Sequence, residues 1–171
     1  MKRKRILCDL DGTVAGWKNV PIEVYSKEGY YSSLDPVVNV IESIKKLCED
    51  ERFEVYIASA VLNDNHSVKD KNLWIDNYMP FIDIEHRVFI PYGTSKVSYL
   101  KEKKLLTKGS VLIDDLSLNL FEWEKEFPEL KLVGVKVMNG INGTKGTWKG
   151  FKVHFDSLPD VIYKTIVAAT I

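Results

Sequence analysis

Cysteine is scarce in this chain, with Cys8 and Cys48 the only two among 171 residues. Neither belongs to a Cys-x-x-Cys pair. That excludes a thiolate metal knuckle and a disulfide framework, and leaves the expectation of reduced, half-buried thiols in a cytoplasmic protein. An excess of charge of one sign is missing too. Lys plus Arg and Asp plus Glu number 24 each, so no global field draws the chain to a nucleic-acid polymer or an anionic membrane. The one basic run, Lys2-Arg3-Lys4-Arg5, reads as a solubilising start to a strand. No apolar run is long enough to span a bilayer. The basic start is followed by an acidic pair and not by a secretory apolar region. His66, His86 and His154 have no metal-ligand spacing. Internal repeats, linker-like shifts of composition and low-complexity tracts are absent as well.

What is present is an ordinary globular composition, 45% hydrophobic and 28% charged, in a length that suits one domain with a small insertion. Five short apolar runs read as strands: Arg5 to Asp9, Phe53 to Ser59, Arg87 to Pro91, Val111 to Asp114 and Leu132 to Val137. Helical patterns lie between them at Pro36 to Cys48, Lys69 to Tyr78, Lys96 to Leu106 and Leu116 to Phe127. Asp35 is the expected N-cap of the first, with Pro36 at its first position. Pro128 stops the last. Such alternation predicts an α/β fold, a Rossmann-like parallel sheet with helices on both faces. Two segments fit poorly. Val14 to Leu34 is polar and aromatic and reads as a small cap inserted after the first strand. Asn139 to Gly150, rich in glycine around Trp148, reads as a turn-rich excursion or hairpin before Phe151-Lys152-Val153.

In parallel sheets ligands bind beyond the carboxyl ends of the strands, and the chemistry-bearing residues gather there. Asp9-Leu10-Asp11-Gly12-Thr13 follows the first strand. Two carboxylates this close repel unless a cation lies between them, and Mg²⁺ prefers such oxygen ligands. One Asp could attack phosphorus while the other handles a proton. Ser59 ends the second strand and could bind a phosphate oxygen. Lys96 opens the helix after the third, where an anion is already favoured. Asp114-Asp115 ends the fourth. Two acidic pairs on separate strand ends would build one acidic hole.

This order resembles the haloacid dehalogenase superfamily of phosphohydrolases, over roughly residues 3 to 138. The resemblance implies an HAD-like fold and a Mg²⁺ cofactor. It makes Asp9 the nucleophile that forms an aspartyl-phosphate. Asp11 is the acid that protonates the leaving group and then the base that activates water. Gly12, Thr13, Ser59, Ala60 and Lys96 hold the phosphoryl oxygens. Asp9, the Asp11 main-chain carbonyl, Asp114 and Asp115 form the metal site.

Within the superfamily the chain is most similar to the 5′(3′)-deoxyribonucleotidase branch, through Tyr30-Tyr31-Ser32-Ser33-Leu34-Asp35-Pro36 and Lys69-Asp70-Lys71-Asn72-Leu73-Trp74-Ile75. It departs from that branch in having Ala58-Ser59-Ala60 where Thr-Ser-Pro is usual, and only about twenty residues of cap. The expected function is a Mg²⁺-dependent phosphomonoester hydrolase, a 5′-nucleotidase whose partner is a small nucleoside monophosphate. A phosphatase for another small phosphate such as a sugar phosphate, or a non-catalytic phosphate-binding module, are the alternatives. Trp17, Tyr30 and Tyr31 are the candidates to stack on a base. No sequence feature assigns an oligomeric state.

Overall fold

The computed structural model describes residues 3–142 and 146–171. Lys2 of the basic run and Gly143 of the glycine-rich segment lie outside them. Along the described chain run β1 (Lys4–Cys8), α1 (Ile22–Tyr25), α2 (Val38–Glu49), β2 (Phe53–Val61), α3 (Ser67–Tyr78), β3 (Arg87–Pro91) and α4 (Lys96–Glu102). They continue as β4 (Val111–Asp114), α5 (Ser117–Glu126), β5 (Val133–Met138), β6 (Phe151–His154) and α6 (Pro159–Ala168). The strands form one sheet in the order β3-β2-β1-β4-β5-β6, and every pairing is parallel. The α/β architecture expected from the alternation of patterns is therefore present.

Strand residues alternate between two apolar layers, as the two-residue period of a strand requires. Ile6, Cys8, Val55, Ile57, Val111, Ile113, Val135 and Val137 pack with Val40, Ile44, Trp74, Ile75, Ile162 and Ile166 of α2, α3 and α6. Leu7, Tyr56, Ala58 and Leu112 point the other way, onto Val97, Leu100, Leu120 and Trp123 of α4 and α5. Each large aliphatic or aromatic side chain removed from water here contributes roughly 1.5–3 kcal/mol. The layers hold the strand ends rigidly, and β1 and β4 are neighbours at the point where the strand order reverses. No helix among the described residues is long and apolar enough to cross a membrane.

Four expectations about elements need correction. The helix read from Pro36 begins at Val38, and no side chain caps it. Asp35 and Pro36 instead close the neck of the cap: Ala15 bridges to Pro36, the Gly16 amide donates to the Asp35 carbonyl at 2.7 Å, and the Val37 amide donates to Val14. Pairing of the two ends of the insertion takes precedence over a local cap. Second, β2 runs two residues past Ser59 to Val61, because β3 pairs with it as far as Pro91. Third, Phe151–His154 is a sixth strand parallel to β5, so the segment before it is a crossover and not a hairpin. Trp148 anchors that crossover. It is buried against Gly134, where a Cβ would come within 2.8 Å of its ring. Fourth, the helix from Lys96 ends at Glu102, with Lys104 beyond it at positive φ.

Candidate active site

The acidic pair after β1 is shaped by a tight turn. The Leu10 carbonyl accepts from the amides of Thr13, Val14 and Ala15, and the Gly12 amide donates back to Ala15. Gly12 has φ +79°, and a Cβ there would meet Asp115 Oδ2 at 2.3 Å. Only glycine lets the two acidic loops approach so closely.

Asp9, Asp114 and Asp115 are buried at the tips of β1 and β4, and one ligand oxygen from each lies within 4.8 Å of the others. Lys96 bridges the first two, with Nζ 2.7 Å from Asp9 Oδ1 and 2.7 Å from Asp114 Oδ2. Burial works against the Lys96 ammonium, and the carboxylates of Asp114 and Asp9 outweigh it and raise its pKa. Burial also pushes the Asp9 carboxyl up; Lys96 opposes this and Asp114 reinforces it. Asp115 is raised by burial and then by Asp114. Burial, then the mutual repulsion of the carboxylates, makes the charged forms costly here, and a cation would relieve both. All candidate ligands are hard oxygens, with no His, Cys or Met among them. Asp11 Oδ1 is buried with no hydrogen-bond partner among the described residues. This donor set fits Mg²⁺.

The two members of the second acidic pair differ. Asp114 has three donors: Oδ1 accepts from the Leu116 amide at 2.8 Å, and Oδ2 accepts from Lys96 and from Asn119 Nδ2. Asp115 Oδ2 accepts from Asn139 Nδ2 at 2.9 Å and Asn142 Nδ2 at 2.6 Å.

Sequence reasoning missed Lys71. It is fully buried on α3. Its Nζ donates to Asp11 Oδ2, to Ser59 Oγ at 2.9 Å and to the Ala60 carbonyl at 2.6 Å, and it lies 4.4 Å from the centre of the Tyr31 ring. The only available signal was its place in a stretch resembling the nucleotidase branch, where the pattern alone makes it a solvated helix charge. Asn119, Asn139 and Asn142 had no signal, since isolated asparagines read as turn residues.

A cavity of about 290 Å³ opens over these groups. Asp9, Asp11, Ala60, Lys96 and Asp115 line its polar floor, and Trp17, Tyr25 and Tyr31 of the cap form one wall. Tyr92 and Leu116 also line it. Gly12, Thr13, Ser59 and Asp114 stand behind this lining, with Thr13 and Ser59 fully buried. Tyr30 packs edge-on behind Tyr31, ring centres 5.3 Å apart, and Tyr25 takes the wall position instead. Hydrogen bonds tie residues 26–34 to α3 and the residue before it: Gly29 amide to Asp70 Oδ2, His66 Nε2 with the Ser26 carbonyl, and Trp74 Nε1 to the Leu34 carbonyl.

A parallel sheet with an Asp-x-Asp-Gly turn, a lysine and an acidic pair at its reversal point defines a member of the haloacid dehalogenase superfamily. Residues 17–127, well over half of the chain, match the family described as 5′ nucleotidase, deoxy (Pyrimidine), cytosolic type C protein, and the chain belongs to that family. The match begins beyond Asp9–Thr13, so that turn rests on its own pattern and geometry. A Staphylococcus aureus (strain Mu50) protein named "Putative 5′(3′)-deoxyribonucleotidase" is 30% identical over 114 residues, 67% of this chain and 52% of that protein. The 5′(3′)-deoxyribonucleotidases of Bacillus subtilis (strain 168) and Bacillus phage SPbeta are each 29% identical over 126 residues, 72% of this chain and 64% of theirs. The chain thus spans about half the length of the first of these relatives and under two thirds of the others.

Proposed function

We propose that this protein is a Mg²⁺-dependent phosphomonoester hydrolase, a cytoplasmic 5′-nucleotidase that acts on (deoxy)nucleoside monophosphates through an aspartyl-phosphate on Asp9. The observation that carries the reading is the alternation of buried charges on the cavity floor. Asp9 is paired with Lys96, Lys96 with Asp114, and Asp11 with Lys71. The family match and the names of the relatives support the nucleotide as substrate.

Asp9, Asp115 and the Asp11 main-chain carbonyl would hold the cation, which when bound neutralises charge on the phosphoryl oxygens. Asp114 accepts from Lys96, Asn119 and the Leu116 amide and serves to aim Lys96. An Asp9 carboxylate oxygen attacks phosphorus, and the bond from phosphorus to the ester oxygen breaks. Asp11 gives its proton to that oxygen from Oδ1, the oxygen Lys71 does not occupy. Asp11 then takes a proton from the water that attacks phosphorus and releases Asp9. Lys96 and Ala60, which line the cavity, cradle the phosphoryl oxygens, whereas Gly12 and Thr13 spend their amides on Ala15 and Leu10 and shape the turn that carries Asp9 and Asp11. Ser59 accepts from Lys71, which leaves its own proton free to donate. Most of the rate acceleration comes from positioning and fixed charge.

The test is a panel of nucleoside 5′- and 3′-monophosphates and sugar phosphates, assayed with and without Mg²⁺. Metal-dependent release of phosphate from nucleotides is the expected result. Preferred turnover of a sugar phosphate would remove the nucleotidase reading and keep the phosphatase chemistry, and no turnover of any ester would remove both.

A further inference from the structure

Lys136 is buried in the middle of β5, and the chemistry above does not use it. Its neighbours Val135 and Val137 face the α2–α3–α6 layer. Lys136 therefore faces α4 and α5, in register with Asp114 across the β4–β5 pairing. Only 1% of it is exposed. Its Nζ donates to the Asp115 main-chain carbonyl at 2.8 Å and to Ser117 Oγ at 2.7 Å. Both acceptors are neutral, and no carboxylate among the described residues pairs with it directly.

A buried cation in this place needs a reason. Ser117 opens α5, a ten-residue helix whose N-terminus carries partial positive charge and disfavours a cation. A Leu or Ile here would continue the apolar layer at no electrostatic cost. What compensates is the acidic cluster. Lys96 and Lys71 are already engaged with Asp9, Asp114 and Asp11. Among the described residues the Asp115 carboxylate has only the amides of Asn139 and Asn142 as partners. Lys136 grips the same residue from its main-chain side.

We infer that Lys136 is an internal counter-cation of the acidic cluster: it holds the carboxylates together without metal and competes electrostatically with the divalent cation, thereby setting how tightly the site binds it. The inference rests on the reading that this cluster binds Mg²⁺. A fixed positive charge on the main chain of one ligand residue would disfavour a divalent ion held by that residue, and the interior screens such repulsion weakly. The site then trades affinity for a preformed shape, which suits an enzyme that must assemble its ligands before substrate arrives.

Calorimetric titration of the full chain with MgCl₂, with melting of the metal-free and Mg²⁺-saturated forms, tests this on three variants. Lys136→Gln keeps an amide donor and removes the charge. Lys136→Met removes both. Lys136→Arg keeps a charge that cannot be lost. The Gln and Met variants should bind Mg²⁺ about tenfold tighter than the native chain. Their metal-free forms should melt earlier and gain more from saturating Mg²⁺, while the Arg variant binds within about threefold of native. A merely structural lysine would not tighten metal binding when removed, so unchanged or weaker affinity in a folded Gln variant overturns the inference. If neither neutral variant folds without metal, recovery on refolding in saturating Mg²⁺ supports it, and failure to recover overturns it. A native chain that binds no Mg²⁺ overturns the metal reading itself, whereas native binding with unaltered variants removes only the role of Lys136.

Discussion

The floor and the wall of the cavity are built in opposite ways. On the floor, Asp9, Lys96 and Asp114 come from β1, α4 and β4 and are all nine-tenths buried or more. Lys96 pairs with both of these carboxylates. In the cap, Trp17, Tyr25 and Tyr30 are only partly covered and Ile22 is 51% exposed. The cap touches itself through a chain of aromatic rings, Trp17 to Tyr25 to Tyr30 to Tyr31. Removing one member of a buried charge network strands the others, and removing one ring from a half-exposed wall loses only contact area. The floor should therefore govern turnover, and folding as well wherever a substitution leaves a partner stranded, and the cap should govern substrate affinity with little effect on folding.

The largest effect falls on Asp9. Asp9→Asn should reduce turnover at least about a thousandfold, since an amide of the same size is no nucleophile. Its melting temperature should stay near or above native, because one member of a repelling carboxylate cluster has been neutralised. Near-native hydrolysis by the purified variant would take the nucleophile away from this position.

Lys71 comes next and tests whether the floor extends to α3. Lys71→Met leaves Asp11 Oδ2, Ser59 Oγ and the Ala60 carbonyl without their shared donor. Breaking a buried pair from one side should cost about 3 kcal/mol in urea unfolding and lower kcat by roughly a hundredfold. A variant with native stability and native kcat would move Lys71 out of the site.

Trp17→Ala probes the wall. It should raise the KM for a nucleotide by an amount corresponding to about 1–3 kcal/mol of stacking, leave the KM for a small aliphatic phosphate unchanged, and leave kcat within a few fold. Equal losses for both substrates would make the cap a structural cover without a role in recognition.

The smallest effect lies under the cap, at the start of α3. Asp64 Oδ1 accepts from the amides of His66 and Ser67, and Oδ2 from Ser67 Oγ. Asp64→Ala should destabilise the fold by about 1 kcal/mol at neutral pH. Burial pushes the Asp64 carboxyl up, and the hydrogen bonds from Ser67 and His66 win and hold it below its ordinary value. Its contribution is therefore present above the ordinary aspartate pKa and lost as pH falls through the lower folded value. Native and variant unfolding curves should converge in acid, and a gap that persists there would mean the bonds do not depend on the charge.

The floor was largely legible in the order of residues. Apolar runs ending in Asp9, Asp114 and Asp115, with Lys96 opening a helix, can be placed together without coordinates, because parallel strands bring all their carboxyl ends to one edge. Phe151–His154 was harder, since four mostly exposed residues give little periodic signal. The helix Pro159–Ala168 carried one that went unread, with proline at its first position and Ile162 and Ile166 on one face.

Sequence alone thus determined five of the six strands and the acidic residues at their carboxyl ends, because hydrophobic period and strand polarity are local properties of the chain. Tertiary structure decided that Lys71 and Lys136 are buried, that Asp114 accepts from three donors while Asp115 Oδ1 has none among the described residues, and that Tyr25 reaches the cavity in place of Tyr30. A lysine on a helix and a lysine in a strand read as solvated charges until partners from distant segments close around them. Whether a carboxylate has a free oxygen depends on donors such as Asn119, Asn139 and Asn142, which meet it only after the chain has folded.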